Sequence, residues 1–276
     1  MFHDLLSFLQ CPTCGFRPLV LVAGVEADDE VIEGGVACER CGHVTPIEEG
    51  ILDALGEAPV PWTPAQLTNY APLAAWGYER LWRPHALRLL SGERFTLEKE
   101  LRLVRSLIGA GRDGLFVDVA CSTGLYARAF AVDAPGVSIA AVDHSRAMLR
   151  EARRYARREG RRISFVRASA QALPFASGTV AGYGMGGSLN EIGDIGRALD
   201  EARRVIAADG RFVSMNLIAA ATRPGRALQR LLSTGGIQFP PVVDLNRRVE
   251  DAGLRVVGQW CWRVVMISML CLVPDA

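Results

Sequence analysis

From residue 115 onward, short apolar runs alternate with stretches in which apolar residues return every three or four positions. The runs at 115–120, 138–143, 163–168, 180–185 and 211–217 predict strands, and the stretches at 145–160, 195–207 and 245–252 predict helices between them. Residues 254–263 and 264–273 read as two further strands meeting at a turn. Repetition of this kind predicts an α/β domain whose mostly parallel sheet is covered on both faces. Upstream, 97–108 has the spacing of an amphipathic helix, preceded by the aromatic-rich segment NYAPLAAWGYERLWRPHALRLL. Residues 57–66 (EAPVPWTPAQ) carry three prolines and read as a linker. Before them the pattern changes to alternating, β-branched stretches at 19–25 and 30–36, which predict a small hairpin. Three parts result: a β-rich module over 1–56, a linker with a helical cap over 57–112, and the α/β domain over 113–276.

Composition narrows the picture. Half of the 276 residues are hydrophobic, enough for one full domain and a small module. A net charge of +1 supplies no global field toward nucleic acid or membrane. The segment MFHDLLSFLQ has no basic leader and its apolar run is broken by His3 and Asp4, so it does not read as a signal peptide. No run approaches the ~18 apolar residues of a membrane span. A cytoplasmic location and no transmembrane segment are the expectation; oligomeric state is not legible. One local charge feature stands out: LREARRYARREGRR places Arg150, Arg153, Arg154, Arg157, Arg158, Arg161 and Arg162 at spacings of three and four. Such a stripe suits phosphates, an anionic surface or a solvated helix face.

Four of the seven cysteines form two C-x-x-C pairs, Cys11/Cys14 and Cys38/Cys41, each followed by a glycine. Two intervening residues let both thiolates of a pair reach one ion from a tight turn, and two such knuckles make a tetrahedral site suited to Zn²⁺. A closed four-thiolate site has no open coordination position, so its role is structural. With four thiolates present, His43 reads as a surface residue. LLSFLQCPTCG, CERCG and PIEEGILDAL together resemble the zinc-ribbon family that includes the small activator subunit of tRNA and protein methyltransferases.

The first strand of the α/β domain ends in FVDVACSTGLYARAF, with Asp118 followed by the small residues Ala120, Ser122 and Gly124 before a helix. Small side chains there let a ligand lie against the backbone. The second strand ends in Asp143, where a carboxylate can hold two ribose hydroxyls. Dinucleotide binding predicts the same acid, but the turn lacks G-x-G-x-x-G. With RASAQALPF after the third strand and ALDEARRVIAADGRFVSMNL around the fifth, residues 113 to about 217 resemble class I S-adenosylmethionine-dependent methyltransferases, closest to the ubiquinone/menaquinone C-methyltransferase group. The resemblance implies a Rossmann-like sheet of seven strands, mostly parallel with the last antiparallel. It also implies that S-adenosylmethionine (or S-adenosylhomocysteine) is bound. Asp118, Ala120, Cys121, Ser122 and Gly124 would then surround the methionine part, with Met185 and Gly186 beside it. Asp143 would hold the ribose, His144 and Met148 would lie against adenine, and Ser169, Ala170 and Gln171 would reach its edge. Ala120 and Ser122 stand where the family has glycines, and Ser169 where it usually has an aspartate. The order of motifs also resembles a group of bacterial and plastid methyltransferase-like proteins with a Y-E-R-x-W-R segment before the sheet. Here that segment is Tyr78, Glu79, Arg80, Trp82 and Arg83. By that likeness Tyr78 and Arg83 would cap the cofactor, with arginine suited to its carboxylate.

Methyl transfer asks the protein to position the acceptor and exclude water, with a base only where the acceptor loses a proton. After the fourth strand, GYGMGGSLNEIGD offers Tyr183, Asn190 and Glu191 as candidate catalytic residues, Glu191 being the charged one. No N/D-P-P-Y/F motif is present, which argues against amino-group methylation. Trp260, Trp262, Met266 and Met269 are candidates for lining an apolar acceptor pocket. The favoured reading is methylation of a small, apolar carbon or oxygen acceptor. An rRNA or tRNA methyltransferase docking RNA through the ribbon, and a non-catalytic cofactor- or partner-binding scaffold, are the alternatives. RNA is the less favoured partner.

Overall fold

The computed structural model describes residues 1–56, 77, 79, 80, 83–92, 95–132 and 136–273. After a 3-10 turn at His3–Phe8, the first module forms β1 (Val20–Ala27), β2 (Glu30–Ala37), β3 (Val44–Glu48) and β4 (Ile51–Asp53). Helices α1 (Arg83–Ser91) and α2 (Leu97–Ile108) precede β5 (Leu115–Val119), α3 (Leu125–Phe130), β6 (Ser138–Asp143), α4 (Arg146–Arg158) and β7 (Ser164–Arg167). The chain continues through β8 (Val180–Gly186), a 3-10 turn at Ser188–Asn190, α5 (Ile195–Val205), β9 (Ile206–Leu217), α6 (Arg223–Ser233), α7 (Val242–Asp251), β10 (Leu254–Trp262) and β11 (Val265–Leu272).

Local chemistry sets the helix starts. The Thr96, Ser145, Asp194 and Thr222 side chains accept from backbone N–H groups of the first turns of α2, α4, α5 and α6. Every residue of β5 and β6 is buried, as continuous apolar runs require in a sheet covered on both faces.

Seven strands in the order β7-β6-β5-β8-β9-β11-β10 form the α/β sheet, with β11 antiparallel to its neighbours β9 and β10. The sheet does not end at β7. Strand β4 pairs parallel to it, Ile51 opposite Phe165 and Leu52 opposite Val166, so the four strands of the first module extend one eleven-stranded sheet. The two parts also share a core. Leu5, Leu9, Val36, Ile47 and Leu52 join Val166, Leu173 and Phe175 in one buried cluster. A second cluster on the opposite face packs α2, α3 and α4 against β5, β6 and β9.

The arginine stripe of α4 faces the first module. Arg150 pairs with Glu49 through both Nε and Nη2, Arg153 and Arg157 with Glu30, and Arg162 with Asp4 and Asp29. Arg146 reaches Glu48 and Asp53, and Asp53 also accepts from Arg167. Close approach requires Gly50, at φ +76°, since a Cβ there would lie 2.6 Å from the Arg153 guanidinium. Arg150, Arg153, Arg157 and Arg162 thus form an ionic seam with the first module, which their spacing in sequence did not reveal. By contrast, Arg154 pairs with Glu151 of its own helix, Arg158 lies over the Tyr155 ring and Arg161 donates to Ala131 O.

Candidate functional site

The four cysteines of the two knuckles converge. Their sulfurs lie within 4.8 Å of one another, with Cys11–Cys41 at 3.5 Å and Cys14–Cys38 at 3.6 Å. A tetrahedron of zinc–thiolate bonds has edges of about 3.8 Å, so the arrangement fits that donor set. The knuckle turns are closed by Gly15 N–H to Cys11 O and Gly42 N–H to Cys38 O, each 2.9 Å. Both glycines are left-handed, at φ +68° and +72°. Burial raises the Cys38 thiol, but N–H groups of Cys41 and Arg40 outweigh it and bring the group to about 7. Cys41 receives an N–H from His43, yet the neighbouring thiols, Cys14 first, push it up to about 12. Four clustered thiols cannot all ionise without a cation among them. His43 is exposed.

A second site lies at the C-terminal ends of β5 and β8, the switch point where the strand order reverses. A small, open cleft is lined there by Arg83, Asp118, Ala120, Cys121, Ser122, Leu125, Tyr126 and Gly186. The turn after β5 is built from left-handed residues: Ala120 at φ +53°, Ser122 at +49° and Gly124 at +75°. Alanine and serine therefore occupy a conformation that glycine adopts without strain, at a cost of the order of 1 kcal/mol each. Gly186 lets the Tyr126 ring pack close against β8, since a Cβ there would come within 3.1 Å of it.

Asp143 ties the turn together. Its Oδ2 accepts from Ser122 N–H and its Oδ1 from Ser145 N–H, both at 2.8 Å. Asp118 accepts from Ala127 N–H at 2.9 Å, and burial, with Asp143 adding to it, raises its carboxyl to about 7. Ser169 accepts from Gln171 N–H at 3.2 Å, and the Gln171 amide donates to Asp194 O at 3.0 Å. His144 and Ala170 are half-buried and Met148 is buried beside this loop system.

The charged residues of the Y-E-R-x-W-R segment are fastened by partners that the sequence pattern did not single out, Glu100, Arg128 and Glu151. Arg83 donates to Glu100 at 2.6 Å, and Tyr126 Oη donates to the same carboxylate oxygen at 2.5 Å. Glu79 accepts from Arg128 at 2.6 Å and from the Thr123 hydroxyl at 2.8 Å, while Arg80 pairs with Glu151 at 3.1 Å. Thus Glu79 and Arg80 grip the α/β domain directly, and Arg83 does so through Glu100, whose carboxylate also holds Tyr126. Tyr78 and Trp82 lie outside the described residues. Glu100 had a readable signal: it is an acid on the same helical row as Val104 and Ile108, the buried side of α2.

The candidate catalytic residues separate. Glu191 is half-buried, and burial followed by the Asp143 charge raises its carboxyl. Ser188, three residues earlier, donates to Ala120 O at 3.3 Å, which joins this turn to the cleft. Asn190 is a clasp: its amide donates to Leu217 O and Gln238 O at 2.7 and 2.6 Å, and its oxygen accepts from Leu217 N–H at 2.8 Å. Both of its amide hydrogens are used, so it has none to offer an acceptor. Tyr183 is fully buried, edge-on to Phe212 at 4.6 Å, in the core on the α5 side of the sheet. Alternation of side chains along β8 sends it away from the cleft that Gly186 lines. The four aromatic and sulfur residues also divide. Trp262 stacks on Phe95 at 3.8 Å, whereas Met266 packs with Ile218 and Leu245 in a cluster on the other face.

The strand order and the switch-point cleft define a class I methyltransferase fold. Residues 116–210 match the family model described as methyltransferase domain. An uncharacterized chloroplastic methyltransferase of Arabidopsis thaliana is 28% identical over 227 residues, covering 75% of this chain and 61% of that protein. The demethylmenaquinone methyltransferase of Thermus thermophilus is 30% identical over 141 residues, covering 51% and 56%. The crystal structure of an S-adenosylmethionine-dependent methyltransferase from Aquifex aeolicus superposes with a TM-score of 0.55 at 17% identity, covering 74% of this chain and all of that one. This chain spans about three-fifths of the length of the first curated relatives it matches. Among the described residues no helix is long and apolar enough to cross a membrane.

Proposed function

We propose that the protein transfers a methyl group from S-adenosylmethionine to a small, apolar acceptor at carbon or oxygen, with zinc holding the first module in a purely structural role. The observation that carries the reading is the cleft at the switch point, with its small-residue turn cinched by Asp143. The cradle fits the cofactor chemically: the left-handed turn of small residues Ala120, Ser122 and Gly124 leaves the backbone approachable, with Gly186 lining the cleft across from it. When bound, the sulfonium supplies a methyl group already activated for in-line displacement. Asp143, held by two backbone amides, is placed for the ribose hydroxyls. Arg83, steadied by Glu100, is the partner for the carboxylate of the methionine part. Ser169 and Gln171 serve the adenine edge with neutral groups where the family has a charge. Glu191, its carboxyl raised by burial and by Asp143, suits a general base working nearer neutral pH than an ordinary carboxylate. Tyr183 and Asn190 act through packing and the loop clasp.

The relative named for demethylmenaquinone supports an apolar acceptor carbon. The seam between α4 and the first module weakens the feature that most favoured RNA, since Arg150, Arg153, Arg157 and Arg162 already have carboxylate partners there. Titration calorimetry tests the reading: S-adenosylmethionine is expected to bind, and Asp143→Ala to weaken binding about 10- to 100-fold. No heat at millimolar ligand overturns it. Labelled-methyl transfer to demethylated quinones, and none to total RNA, is the expected acceptor outcome.

A further inference from the structure

Helix α6 sits in the segment that joins β9 to α7, at the same end of the sheet as the cleft. The segment is held in place by side-chain and backbone bonds. Gln229 donates to Ile218 O at 2.9 Å and accepts from Ala220 N–H at 2.8 Å, and Gln238 N–H donates to Asn190 O at 2.7 Å. Yet α6 has no buried residue. Leu228, Leu231 and Leu232, spaced by three and four, form one face, with Leu228 56% and Leu231 67% exposed. Arg223, Arg226 and Arg230, spaced the same way, lie on the side of the helix roughly opposite the leucines. Gln229 lies on the side turned to the protein. No Asp or Glu occurs between Asp209 and Asp244. Among the described residues none of the three arginines pairs with a carboxylate; Arg226 instead donates to the carbonyls of Ala220 and Ala221.

We propose that α6 docks the protein onto an anionic lipid surface, leucines in the acyl boundary and arginines at the headgroups. A helix with an exposed leucine face, an opposed cationic face and no acid has the composition of an in-plane interfacial helix. The uncompensated charge selects anionic lipid. An RNA partner would leave three leucines in water without a contact, and a core-type protein contact has no use for three arginines on the same helix. The surface does not depend on which acceptor is methylated. Its position beside the cleft suits an acceptor that resides in the membrane.

Flotation of the full chain with phosphatidylcholine vesicles containing phosphatidylglycerol, against pure phosphatidylcholine, is the test. The expected result is partition to the anionic vesicles only, weakening as salt rises. Arg223→Gln with Arg230→Gln is expected to weaken it about thirtyfold, from about fivefold for each arginine. Leu228→Ser with Leu231→Ser is expected to abolish it. Both pairs are exposed, so thermal unfolding and S-adenosylmethionine binding stay as in the parent. Absence of partition to anionic vesicles, or partition that both variants retain, overturns the proposal. So does a parent dimer in light scattering that the leucine variant makes monomeric, which assigns the face to a second copy. Cofactor binding measured on the same samples separates failure of docking from failure of the methyl-transfer reading.

Discussion

Two helices carry arginines at spacings of three and four, and their fates differ. On α4, Arg146, Arg150, Arg153 and Arg157, and Arg162 just after it, each meet a carboxylate of the first module. On α6, Arg223, Arg226 and Arg230 meet none among the described residues. The richer run is therefore the less available one. Most of its charges are spent within the molecule, on carboxylates of the module whose β4 joins the sheet. A cationic run is only a recognition surface if the fold leaves it uncovered, and nothing in the run itself says whether it is.

That contrast can be broken at several points. The largest effect is expected from Cys38→Ser or from chelation, which removes a corner of the four-thiol site. One zinc per chain by elemental analysis is expected in the parent and none in the variant, with the first module unfolded. The α4 arginines are then uncovered, so heparin and RNA retention should rise steeply and fall with salt. A variant that loses metal without gaining retention would show that the seam holds without the site. Next comes Glu30→Ala, which leaves Arg153, 14% exposed at its side chain, facing no carboxylate at Glu30. Breaking a largely buried pair from one side should cost about 2–3 kcal/mol in urea unfolding.

Acid should distinguish the two helices by sign. Burial raises the Asp53 carboxyl, but Arg167 and Arg146 outweigh it and hold it below the usual range; Arg150 does the same for Glu49. A carboxyl lowered by folding contributes stability that is present above its unfolded value near about 4 and is lost as pH falls through the folded one. The seam should thus weaken below about pH 4. Vesicle binding by α6, with no carboxyl of its own, should stay level from pH 8 to pH 5. The smallest effect belongs to Glu49→Ala. Its pair with Arg150 is about half exposed on both sides, and solvent screening should leave a change below about 0.5 kcal/mol.

The cleft shows a parallel division between what is legible in a chain and what is not. Strand-end residues such as Asp118 and Asp143 could be found because a parallel sheet places every strand tip at one end, so position along the chain fixes position in space. Glu100, Tyr126 and Arg128 were harder, because their roles come from which helix lies across which turn. Glu100 left a trace, an acid within an apolar row; Arg128 left none. Tyr183 shows the opposite error. It falls in the glycine-rich strand beside the candidate base, but the two-residue period turns its ring into the core.

The sequence by itself determined the strand–helix order, the caps at Thr96, Ser145 and Asp194, the two knuckles and the acidic strand tips. These depend on neighbours within a few residues and on the periods of helix and strand. The missed helix α6 marks the edge of that method, since a short helix with leucines in solvent obeys no burial pattern. Tertiary structure alone decided that β4 would pair with β7, that the α4 arginines would be neutralised and that those of α6 would not. Charge pairing and edge-strand pairing join residues a hundred or more positions apart, and only the path of the chain in space brings them within reach.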